Sequence, residues 1–181
     1  MKKINLSNVQ DQNDFKRIVA GGYICKIVSV EDVPEKEYLI VKYDIAGGEY
    51  KGYYQSLFDN RGFWAGTFYK SYKEKALPMF KRFCSAVSKS NNGFVFDGET
   101  NSDEKTLEGK MVGLVLCEEE YYGNDGNVKT RFYVDRECSV EDIKNNNFKV
   151  KPLKELPKEE ADVPVDNSFM DVNTEQTELP F

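Results

Sequence analysis

Cations and aromatic rings alternate through the middle of this 181-residue chain. Lys51, Arg61, Lys70, Lys73, Lys81 and Arg82 interleave with Tyr53, Tyr54, Phe63, Trp64, Phe68, Tyr69 and Tyr72. The bases of an unpaired nucleic-acid strand present flat π faces, and stacking one on an aromatic side chain contributes about 1–3 kcal/mol. Lysine and arginine between such rings neutralise phosphates and release counterions. Rings alone would suit a barrel core, and cations alone a solvated surface. Their alternation is what points to a strand-binding groove. Residues 128–135 repeat the theme. Val128, Thr130, Phe132 and Val134 fall on one side of an extended chain, and Lys129, Arg131, Tyr133 and Asp135 on the other. The stacking candidates are therefore Tyr53, Trp64, Phe68, Tyr69, Tyr72 and Tyr133. Arg61, Lys70, Lys73, Lys129 and Arg131 are the phosphate candidates.

Other chemistries lack their residues. With no histidine in the chain, an imidazole acid/base, a His-based triad and a His metal site are all excluded. Cys25, Cys84, Cys117 and Cys138 stand 59, 33 and 21 apart. That spacing reads as buried thiols in a reducing cytoplasm, not as a disulfide framework or a zinc site. The triplet Glu118, Glu119 and Glu120 is the only carboxylate cluster within the body. In a strand its members alternate in direction, so it reads as a solvated strand end rather than a two-metal centre. No phosphate-binding loop, nucleophile elbow or dinucleotide fingerprint occurs. The expectation is a protein with no catalytic residues, no metal and no cofactor. The longest apolar run, 111–117, is too short to cross a bilayer, and the polar start shows no secretory signal. A cytoplasmic protein with no membrane partner is expected.

Charge divides the chain. Of 25 bases and 31 acids, the segment 155–181 holds one and eight, which leaves the first 154 residues with 24 and 23. Within that balanced body, residues 51–89 carry eight bases and two acids. A basic middle beside an acidic tail points to an anionic ligand, with the tail as a separate device.

The elements that must position these residues follow from period and turn chemistry. Residues 1–19 read as a polar arm. Two β-branched runs, 23–30 and 38–45, are joined by a turn containing Pro34, and Gly47-Gly48 predicts a hairpin returning as a third strand over 49–54. No period persists over 56–72. An apolar stripe of Leu77, Phe80, Phe83, Cys84 and Val87 predicts a helix from Lys73 or Leu77 to Lys89, with Pro78 in its first turn. A short strand is expected at 94–96, then a long one over 107–122, apolar on both faces at 111–117. A tight turn at 123–126 leads to a strand over 128–135. A helix start follows at Ser139–Asp142, and 148–152 closes the body. Three strands, a helix and two strands is the succession of a five-stranded antiparallel Greek-key barrel of the OB type. The expected domains are an arm at 1–19, an OB fold at 20–154 and a disordered acidic tail at 155–181.

The chain ends Glu178, Leu179, Pro180, Phe181, a ring beside a free carboxylate and stiffened by proline, suited to capture by a small basic-rimmed pocket. This ending resembles the acidic tip of bacterial single-stranded DNA-binding proteins, with Leu179 in place of their isoleucine. From about 21 to 152 the body resembles a family of phage and prophage proteins of Gram-positive bacteria regarded as single-stranded DNA-binding proteins. The resembling segments are GGYICKI at 21–27, YDIAGGEY at 43–50, YKSYKEKAL at 69–77, and LEGKMVGLVL at 107–116 followed by EEEY at 118–121. The resemblance implies an OB fold, a place in phage DNA replication or recombination, and a tip that recruits replication or recombination proteins. The alternatives are an OB module that binds another protein instead of DNA and, further off, a divalent-metal nuclease using Glu118, Glu119 and Glu120. Site size, DNA against RNA and oligomeric state, a homo-oligomer included, are left open.

Overall fold

The computed structural model describes residues 3–5 and 16–157. The tip Glu178, Leu179, Pro180 and Phe181 and most of the N-terminal arm lie outside these residues. Among the described residues the fold is mainly β, with five antiparallel strands in one open sheet and three α-helices.

β1 (Gly21–Val33) is the spine of the sheet. Its first half pairs with β4 (Met111–Tyr122) and its second half with β2 (Tyr38–Ile45). β3 (Thr67–Ser71) lies outside β2, and β5 (Val128–Cys138) lies outside β4, giving the order β3-β2-β1-β4-β5. β2 shows how sequence makes the pattern. Leu39, Val41, Tyr43 and Ile45 are buried, and the intervening Tyr38, Ile40, Lys42 and Asp44 face outward. A bulge in β1 between Ile27 and Ser29 leaves Val28 on the surface.

The expected third strand at 49–54 is corrected. The chain turns at residues 49–52 and enters helix α1 (Tyr53–Arg61). Gly52 has φ +73°, which ends any strand there. The Asp44 carboxylate accepts hydrogen bonds from the backbone N–H of Tyr54 at 2.8 Å and Gln55 at 3.4 Å, which fixes the helix start. Tyr54 and Leu57, three residues apart, then turn into the core, and Gly62 ends the helix in the left-handed region. The actual third strand, β3, sits inside the stretch without a sequence period. Its entry needs Gly66, because a Cβ there would meet the Tyr54 ring at 2.7 Å and the Tyr43 carbonyl oxygen.

The helix α2 (Leu77–Ser90) forms where the stripe predicts it, with Phe83, Cys84, Ala86 and Val87 buried, but Leu77 stands exposed. No strand forms at 94–96. β4 begins at Met111, because residues 104–107 form a 3-10 turn capped by Asp103. The hairpin at 123–126 is present. Ser139 and Asp142 form the reciprocal cap of α3 (Val140–Lys144).

Two apolar clusters result. The larger, including Ile27, Val41, Phe68, Phe83, Val87 and Leu116, fills the side of the sheet under α1 and α2. The smaller joins Val115, Cys117 and Ile143 with Ile24, Tyr133 and Phe148 on the opposite side of β4 and β5. β4 is therefore apolar on both faces, as expected of a strand covered twice. Beyond Leu116, where β1 ends, β4 takes a new neighbour: the Lys154 N–H donates to Glu118 O, and the Glu120 N–H to Lys154 O.

Candidate nucleic-acid interface

Among the described residues, the smaller cluster covers one part of the sheet's outer side and leaves another bare. The bare part is the outer face of β1, β2 and β3. Register places Ile40 between Glu31 and Tyr69, Lys42 between Ser29 and Thr67, and Lys26 beside Asp44. Tyr69 is 64% exposed, and its ring meets Tyr38 edge to face with centroids 5.5 Å apart. That contact holds the Tyr69 ring without covering it, so a flat face stays open. Val28, 42% exposed, adds apolar surface.

The cations of this face are not committed elsewhere. Lys26, Lys42 and Lys51 are exposed, and among the described residues none makes an ion pair. Lys26 and Lys51 border a hollow of about 400 Å3 with Val28, Ala46, Gly52 and Gly109 at one end of the face. An exposed ring and exposed ammonium groups on one sheet face could stack a base and neutralise phosphates along its strand.

The residues singled out from sequence are distributed over several places, not gathered in one channel. Tyr69 lies on the bare face. Lys73 is exposed just beyond β3, and Arg61 is exposed at the end of α1. Two side chains correct the expectation outright. Phe68, neighbour of Tyr69 on β3, points inward against Tyr43 and Phe83 and is 7% exposed. Lys70 also points inward, 8% exposed and paired with Glu137, so it is not available to a phosphate. Arg82 completes that cluster, its Nη2 3.0 Å from the second Glu137 oxygen. An inward lysine is tolerable only because this carboxylate meets it.

Three aromatic candidates are half-buried. Tyr53 packs beside Tyr50 and Tyr54, and desolvation raises its hydroxyl pKa. Trp64 donates its indole N–H to Gly66 O at 3.0 Å and packs on the core. Tyr72 donates to Asp32 at 2.8 Å; loss of hydration, then that carboxylate, push its hydroxyl up to about 12. The β5 residues occupy a different part of the surface. Tyr133 packs into the smaller cluster, where burial raises its hydroxyl pKa. Lys129 pairs with Asp125 at 2.9 Å, and Arg131 pairs with Glu119 at 2.8 Å while lying over the Tyr121 ring.

The acidic triplet alternates as a strand requires. Glu118 receives Arg17 at 2.8 Å, Glu119 receives Arg131 and Lys154, and Glu120 accepts the Leu156 N–H. Among the described residues no group of three Cys, Asp or Glu side chains is placed to hold a metal ion, and no helix is long and apolar enough to cross a membrane.

Sequence reasoning missed Tyr38, Ile40, Lys26 and Lys42. The signal was present in β2, where strict alternation over 38–45 already separates a polar outer row from an apolar inner one. Compared with known proteins, the chain matches no family model and no curated protein.

Proposed function

We propose that this protein binds single-stranded DNA without strong sequence preference, through the outer face of β1, β2 and β3. The observation that carries the reading is the exposed Tyr69 ring, on a sheet face whose Lys26 and Lys42 make no ion pair among the described residues. Base stacking tolerates any sequence because every base has a π face, and ammonium groups track the backbone. Lys51 at the end of the face and Lys73 beyond β3 extend the contact.

An OB-type barrel is the architecture this reading assumes. It is supported by the strand order and by the ion pair that joins Lys70 of edge strand β3 to Glu137 of edge strand β5. With the resemblance of residues 21–152 to phage and prophage single-stranded DNA-binding proteins, the setting proposed is phage replication or recombination in a bacterial cytoplasm. The role is binding, not catalysis. The tip Glu178–Phe181 is proposed to recruit replication or recombination proteins.

The test is fluorescence anisotropy with labelled oligo-dT, a mixed-sequence single strand, its duplex and the matching RNA, at low and moderate salt. Similar affinity for the two DNA single strands, with weaker duplex binding, is the expected result. No binding of either single strand at low salt removes the proposal.

A further inference from the structure

A second surface is lined by apolar and acidic side chains. Two adjoining hollows of about 740 and 470 Å3 lie between α2 and residues 95–104, and Leu77, Phe80 and Phe96 border both. Phe80 is fixed by edge contacts with Tyr72 and Phe96 at 6.0 and 6.3 Å, so the aromatic floor is preformed. The walls are apolar and open: Leu77 is 47% and Val95 55% exposed. Such large apolar side chains on a concave surface mark an interaction site more than chance exposure.

Charge identifies what would cover it. Asp32, Asp97, Glu99 and Glu104 line the two hollows, against one lysine, Lys81. Hydrogen bonds from Thr100 and from the N–H groups of Asn101 and Glu99 hold the Asp97 carboxyl far below its usual range, so it stays ionised. Among the described residues none of these four carboxylates makes an ion pair. An acidic rim repels both a nucleic-acid strand and the chain's own tail, in which eight acids face one lysine.

We propose that this groove docks an apolar, cationic peptide segment of a partner protein, its hydrophobic side chains between Leu77, Phe80 and Phe96 and its lysines or arginines against Asp32, Asp97, Glu99 and Glu104. Helix-in-groove recognition has this form: apolar anchors supply affinity, and rim charges select the partner and its orientation.

The probe is a labelled amphipathic peptide of leucine and lysine, with a leucine and glutamate twin as control. Each is titrated into the full-length protein and followed by anisotropy and by amide NMR shifts. The expected result is binding of the lysine peptide alone, with shifts at Leu77, Lys81, Ser85 and Ser88 and over 95–104. Val95→Lys and Glu99→Lys, both at exposed positions, should each weaken it at least about tenfold while leaving the melting temperature in place. Three results overturn the proposal. Shifts confined to 155–181 would mean unspecific attraction to the acidic tail. Equal binding of the glutamate twin would remove the charge argument. Groove shifts that follow protein concentration alone would make a second copy of this chain the occupant.

Discussion

Lys70 of β3 and Glu137 of β5 meet across the two edges of the sheet, with Arg82 of α2 on the second carboxylate oxygen. Glu137 is 2% exposed, so these two cations replace the water its carboxylate has lost. Glu137→Ala should lower unfolding free energy by about 3–5 kcal/mol in urea denaturation, the cost of leaving a buried lysine uncompensated. Lys70→Met leaves Arg82 on the carboxylate and should cost less than Glu137→Ala. A loss below about 1 kcal/mol for both would mean the cluster is hydrated.

Adjacent residues of β3 should separate binding from stability. Tyr69→Ala should weaken oligo-dT binding by about 1–3 kcal/mol and leave the melting temperature nearly unchanged. Phe68→Ala should do the reverse, lowering stability by about 3–5 kcal/mol through the cavity it leaves. Anisotropy and thermal melts on the two variants distinguish these effects. Trp64, held by its bond to Gly66, should show little fluorescence change on DNA addition.

Salt dependence should identify the cations that touch phosphate. If Lys26, Lys42, Lys51 and Lys73 neutralise about four phosphates, log affinity should fall with log salt at a slope near −3. Lys42→Ala should reduce that slope by about 0.7. Lys129→Ala should leave it unchanged, since Lys129 already pairs with Asp125 on another part of the surface.

Stability should decline on the alkaline side. Burial raises the Tyr43 and Tyr54 hydroxyls well above the ordinary tyrosine range, and Tyr72 is pushed up to about 12. In the unfolded chain tyrosine ionises near about 10. Above that pH the folded state binds more protons, so stability present below about pH 10 is lost progressively as pH rises. The urea midpoint should therefore fall between about pH 9 and about pH 11. In parallel, part of the phenolate absorbance should appear only on unfolding.

Much of the scaffold could be read from short-range pattern. β1, β2 and the β4–β5 hairpin rest on alternation and tight-turn residues, and α2 and α3 on an apolar stripe and a reciprocal Ser139–Asp142 cap. These signals operate over a few residues, where φ/ψ preference and side-chain period dominate. The third strand failed because its evidence was not local. Gly47-Gly48 resembles a hairpin turn, yet the Asp44 carboxylate and the core position of Tyr54 draw the next residues into a helix.

The candidate surface divides the same way. Alternation alone puts Phe68 and Lys70 on one side of β3 and Tyr69 on the other. Which side faces water is decided by distant partners: Phe83 and Tyr43 close over Phe68, and Glu137, far along the chain, makes an inward Lys70 tolerable. Composition likewise shows an excess of bases in the middle of the chain. It does not show that Lys129 and Arg131 are held by nearby carboxylates while Lys26 and Lys42 make no ion pair among the described residues. Pairing between strands brings together residues remote in sequence, and burial then determines which charges and rings are left for a ligand.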